Sequence, residues 1–78
     1  MGRTQSYFYL IDNLNNEKGE LIRNSLMALS DVTDVRYSVR ESIIEVRTSR
    51  DVEQQLRMAC EMNGAGLRTK VNKKDIYS

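Results

Sequence analysis

The sequence predicts a small α+β sandwich, a four-stranded antiparallel sheet with two helices packed on one of its faces. Three observations predict it. The apolar residues alternate, shift to helical spacing and return to alternation, and they do so twice, in the order β-α-β-β-α-β. The chain has 78 residues, enough for one core and no enclosed active-site cavity. It has no proline, and its four glycines, Gly2, Gly19, Gly64 and Gly66, make no linker. One domain over residues 1–78 is expected, with its core at about 7–71.

Tyr7-Phe8-Tyr9-Leu10-Ile11, closed by Asp12-Asn13, has the aromatic and β-branched composition of a first strand. From Glu17 the period changes. Ile22, Leu26 and Leu29, flanked by Leu21, Ser25 and Ala28, form one helical stripe over roughly residues 17 to 30. Asn15 or Asn16 is placed to cap it, with acidic residues in the first turn complementing the helix dipole. Val35, Tyr37 and Val39 alternate with Arg36, Ser38 and Arg40 as a second strand. Arg40-Glu41-Ser42 turns the chain, and Ile44, Val46 and Thr48 alternate with Ile43, Glu45 and Arg47 as the third. Asp51 is placed to cap a second helix, with Gln54 three residues on, and Val52, Leu56, Ala59 and Cys60 form its buried stripe. Asn63-Gly64-Ala65-Gly66 ends that helix, glycine taking the left-handed conformation without steric cost. Leu67, Thr69 and Val71 then alternate against Arg68 and Lys70, and the polar tail from Asn72 to Ser78 is expected to fray. The order is that of the ferredoxin-like, split βαβ pattern. Right-handed crossovers favour the strand order 4-1-3-2.

Composition removes many functions. The chain has no His and one Cys, Cys60, which excludes an intrachain disulfide, a four-ligand zinc site and a Cys-His or Ser-His-Asp catalytic unit. A net charge of +1 argues against binding driven by phosphate neutralisation. No apolar run approaches the length of a membrane span or forms a signal peptide, so a cytoplasmic, non-enzymatic protein without membrane insertion is expected.

The residues resemble the heavy-metal-associated domain family, the small modules of copper chaperones and of P-type metal ATPase tails. That family places a Gly-Met-Thr-Cys-x-x-Cys loop between its first strand and first helix. Here the junction reads Asn13-Leu14-Asn15-Asn16-Glu17-Lys18-Gly19, with Leu14 in the methionine place and Asn16 and Gly19 in the two cysteine places. Ile22, Leu26, Leu29 and Val32 follow Gly19 at the family's apolar spacing, the next strands match in phase, and Gly64 falls near the glycine after the family's second helix. The likeness covers about residues 7 to 71. It implies a relative in fold whose metal motif is degenerate, because an amide and a glycine cannot replace the paired thiolates that hold soft metals. No metal and no cofactor is therefore expected.

Three other features are candidate sites. Cys60 sits in an apolar stripe, where a free thiol behaves as a small buried hydrophobe, and Met58 and Met62 point about 160° from it around the helix. The loop Asp12-Asn13-Leu14-Asn15-Asn16-Glu17 is rich in oxygen donors but lacks the calcium-loop pattern, with Leu14 third and Glu17 sixth. The solvent face of the sheet is the most informative. By phase it carries Phe8, Leu10 and Ile43 on the central strands inside a border of Arg36, Arg40, Arg47, Arg68 and Lys70, with Ser38 and Glu45 beside them. A contiguous apolar cluster on an open sheet is more often a contact surface, here for a protein partner or a second copy, than an ordinary amphiphilic face, and its basic border favours an acidic partner. Nucleic-acid stacking is disfavoured, since the third strand, Ser42 to Thr48, has no aromatic residue. The sequence thus reads as an interaction or regulatory module. The alternatives are a metal-homeostasis accessory domain whose site a partner completes, and a small-ligand-sensing domain of the same topology.

Overall fold

The computed structural model describes residues 3–71. The expectation of a frayed tail from Asn72 to Ser78 lies outside the described residues. The elements are β1 Gln5–Asp12, α1 Asn16–Met27, β2 Val32–Ser38, β3 Ile43–Thr48, α2 Glu53–Met62 and β4 Gly66–Val71. They form one antiparallel sheet in the order β2-β3-β1-β4, the ferredoxin-like arrangement expected from the sequence.

The helices pack on the face that receives Tyr9 and Ile11 from β1, Ile44 and Val46 from β3 and Val32 and Val35 from β2. Against these stand Ile22 and Leu26 of α1 and Leu56, Ala59 and Cys60 of α2, with Leu14 and Val52 closing the ends. Large side chains here, such as Tyr9, Ile22, Leu26, Ile44 and Leu56, are fully buried, each stabilising the fold by about 1.5–3 kcal/mol relative to exposure. The helical stripes are therefore those the spacing indicated, while Leu21, Met58 and Met62 face outward.

Local chemistry sets the boundaries. The Asn15 side chain accepts from the Lys18 N–H at 2.7 Å and starts α1. α1 ends at Met27 rather than at residue 30, where the Leu29 N–H turns back to the Leu26 carbonyl at 3.0 Å. β2 begins at Val32, earlier than expected, and Val39 lies in the following turn, still half-buried against the core. At the start of α2, Asp51 Oδ1 accepts from the Glu53 N–H at 2.9 Å, while Val52 holds the backbone cap position. The helix ends in a Schellman motif: Ala65 N–H reaches the Cys60 carbonyl at 2.8 Å and Gly64 N–H the Glu61 carbonyl at 3.3 Å. Gly64 supplies the required positive φ of 75°.

Both edge strands carry an irregularity. On β2, Val32 faces Thr48 and Asp34 faces Arg47, leaving Thr33 unmatched. On β4, Leu10 faces Thr69 but Ile11 faces Leu67, so Arg68 is an extra residue. Such a bulge reverses the alternation of everything beyond it.

Candidate functional site

The register builds the open face, turned away from the helices, in rows across the sheet. Phe8 of β1 faces Glu45 of β3 and Val71 of β4, and Glu45 in turn faces Arg36 of β2. In the next row Leu10 faces Ile43 and Thr69, and Ile43 faces Ser38. Arg47 stands opposite Ser6 and Asp34. Phe8, Leu10, Ile43, Arg36 and Arg47 thus share the face to which the sequence pattern assigned them.

Three expectations need correction. Phe8 is not displayed to solvent: it is only 8% exposed, because it lies on a central strand between the side chains of its cross-strand neighbours. Lys70 is not on the open face. The Arg68 bulge turns it to the helix side opposite Tyr9, where its ammonium meets Asp51 at 3.3 Å and lies 4.7 Å from the centre of the Tyr7 ring. The basic border is also largely neutralised or displaced. Arg36 Nε meets Asp34 at 3.1 Å, Arg68 meets Asp12 at 3.0 Å, and Arg40 lies in the turn between β2 and β3.

A cavity of about 180 Å³ opens on this face, with Phe8 and Ile43 as apolar lining and Arg36, Glu41 and Glu45 around them. Glu41 contributes from the tight turn, where Ser42 has a φ of 58° and its carbonyl accepts from the Ile11 N–H at 2.8 Å. Strand alternation alone located Glu45; nothing in the strand pattern pointed to Glu41.

At the junction of β1 and α1 the residues are arranged for packing. Gly19 is buried, and a Cβ there would lie 2.6 Å from two carbons of the Tyr37 ring. The Tyr37 hydroxyl donates to Glu20 Oε2 at 2.7 Å and lies 3.4 Å from the Asn16 carbonyl. The Glu20 bond raises the Tyr37 pKa above the ordinary phenol value. Lys18 donates its ammonium to the Gly64 carbonyl at 3.0 Å, tying the start of α1 to the end of α2. Asn16 and Gly19 are thus both beside Tyr37, and the Asn15 amide oxygen is engaged in capping. Cys60 is fully buried in the core, which pushes its thiol pKa up to about 11. This donor set, an amide, a ring-covered glycine and a distant buried thiol, does not fit a soft metal ion. Among the described residues, no group of three His, Cys, Asp or Glu side chains is placed to hold one. No helix among them is long and apolar enough to cross a membrane.

The Tyr9 hydroxyl is buried with no hydrogen-bond partner among the described residues. Burial first, then the nearby carboxylates of Asp51 and Glu53, raise its pKa well above the ordinary phenol value.

No family sequence model matches the chain, and no curated protein sequence does. Its shape does match solved structures. The N-terminal domain of ZntA in its apo form is similar with a TM-score of 0.79 at 16% identity, over 92% of this chain and 99% of that one. The copper(I)-loaded first domain of the human copper chaperone for SOD1 is similar with a TM-score of 0.66 at 19% identity, over 90% and 100%. The apo HMA domain of a copper chaperone for superoxide dismutase gives 0.65 at 20% identity, over 88% and 71%. The chain therefore has the fold of the heavy-metal-associated domains, as the phasing of its apolar residues implied.

Proposed function

We propose that this chain is a non-enzymatic, cytoplasmic interaction module that contacts a protein partner or a second copy through the open face of its sheet. The observation that carries the reading is the cavity over Phe8 beside the half-buried Leu10 and Ile43. Apolar side chains left partly in water on a small, marginally stable domain gain free energy when a partner covers them. The Asn15–Gly19 segment supports the same reading, since Asn15 caps α1 and Asn16 and Gly19 pack against Tyr37 instead of presenting thiolates. The degenerate motif leaves the fold intact and moves its use from the metal loop to the sheet.

The test compares the wild type with a Leu10→Ser, Ile43→Ser double variant, by sedimentation over a concentration series and by pull-down from the native host. Phe8 is left in place because it is nearly buried. A folded variant that loses the wild type's associations supports the reading; one that keeps every association removes it.

A second reading, a metal-handling accessory domain whose site a partner completes, is favoured by the copper named for two of the similar structures. It predicts that association with the partner depends on added Cu(I) or Zn(II). Association through the sheet face does not.

A further inference from the structure

We infer that the cavity over Phe8 receives an arginine side chain of a partner protein. The inference rests on the open-face reading above and names the chemistry of what binds there.

It starts from a mismatch of charges. Glu45 stands directly across from Arg36 in the register, an arrangement in which opposite charges ordinarily pair. Arg36 instead turns along its own strand and donates Nε to Asp34 at 3.1 Å. Among the described residues neither Glu45 nor Glu41 has an ion-pair partner within reach. Two carboxylates without ion-pair partners thus border the same cavity of about 180 Å³, beside Arg36, whose Nε is held by Asp34. Glu45 is itself half-buried beside Phe8 and Ile43, where a neighbouring cation interacts more strongly than it would in open water.

The basic border that would favour an acidic partner is partly spent within the chain, and Arg47, which has no ion-pair partner among the described residues, does not line this cavity. Asp34 holds Arg36, Asp12 holds Arg68, and Asp51 holds Lys70 on the helix side. In the cavity that Glu41 and Glu45 border, where Asp34 holds Arg36, the complement is a cation with an apolar stem. A guanidinium fits this description better than an ammonium. It is planar and weakly hydrated, and its forked donors serve two carboxylates at once. Its methylene stem covers Ile43, which is left half-buried.

The test uses the full chain labelled with 15N and three blocked tripeptides, Val-Arg-Val, its neutral isostere Val-citrulline-Val, and Val-Glu-Val. Saturable amide shifts confined to Phe8, Ser38, Ile43 and Glu45 are expected with the arginine peptide, with affinity falling as salt is raised. The citrulline peptide is expected to bind about tenfold more weakly, and Glu45→Gln to weaken the arginine peptide by a similar factor. Glu41→Gln, in an exposed turn, gives an independent loss should Glu45→Gln disturb the sheet. Equal binding of arginine and citrulline, or unchanged binding by both variants, overturns the arginine assignment. Shifts of the same amides by the glutamate peptide alone overturn it while leaving the open-face reading standing. Silence from all three peptides overturns it too, and the face itself is then judged by the Leu10→Ser, Ile43→Ser comparison.

Discussion

Replacing Gly19 with alanine puts the contact between α1 and β2 under direct strain. In an unconstrained helix interior the change stabilises by about 1 kcal/mol, because glycine loses more backbone entropy on folding. Here the new Cβ would lie 2.6 Å from Tyr37 Cδ2 and Cε2 and 2.9 Å from Cγ. Ordinary carbon contacts lie at about 3.5–4.0 Å, so the ring must retreat by about 1 Å. It is poorly placed to do so, being tied at its hydroxyl to Glu20 and packed against the core on the sheet side. Overpacking of this kind costs about 1–3 kcal/mol, and loss of the hydroxyl bond adds up to about 1 kcal/mol. The net expectation is destabilisation by about 1–2 kcal/mol. In a Tyr37→Ala background the obstruction is gone and the same substitution stabilises by about 1 kcal/mol, a coupling of about 2–3 kcal/mol. Urea unfolding followed by far-ultraviolet circular dichroism, on the four proteins of the cycle, measures it. If Gly19→Ala stabilises equally in both backgrounds, Tyr37 does not seat on Gly19 and the packing account of this turn is wrong.

Four further outcomes are expected. Titration against a competing chelator shows no sub-micromolar Cu(I), Zn(II) or Cd(II) binding by the monomer; one equivalent bound and then abolished by Cys60→Ser overturns this. Asn16→Cys with Gly19→Cys gains Cu(I) binding only when Tyr37 is also shortened, since a cysteine Cβ at position 19 meets the same ring. Cys60, with a thiol pKa pushed up to about 11 by burial, reacts slowly with a disulfide reagent at pH 8 under native conditions and fast in denaturant; equal rates contradict its placement. The Asp51 carboxylate has its pKa lowered, first by the Glu53 N–H and then by Lys70, against the opposing effect of burial. Its contribution to stability is present above its unfolded value of 3.8 and is lost as pH falls through the lower folded value. The urea midpoint therefore drops on acidification below that value, and the drop is smaller in Asp51→Ala; an equal drop removes Asp51 as a contributor.

What the sequence revealed follows from which features are local. The α2 stripe of Val52, Leu56, Ala59 and Cys60 and the left-handed Gly64 are set by spacing and backbone chemistry, and both are found as expected. The strand order follows from handedness rules that apply to any chain of this element order. Strict alternation misplaces Lys70 because a single extra residue, Arg68, inverts the alternation of β4, and nothing in Leu67-Arg68-Thr69-Lys70 marks the bulge. The burial of Phe8 depends on side chains two strands wide, which period alone does not describe. Gly19 looked like a cysteine place filled by a residue without a ligand. Its other role, as the seat of the Tyr37 ring, joins residues far apart in the chain and becomes visible only in three dimensions.

Photo-crosslinking in the native host tests most directly where this chain makes its contacts. A benzophenone amino acid is placed either at Thr69, exposed and on the open face beside Leu10, or at Glu17, exposed in the first turn of α1. Binding through the sheet face predicts a discrete crosslinked species from Thr69, lost in the Leu10→Ser, Ile43→Ser variant, and none from Glu17. Crosslinks from Glu17 alone would contradict it and return the function to the loop between β1 and α1.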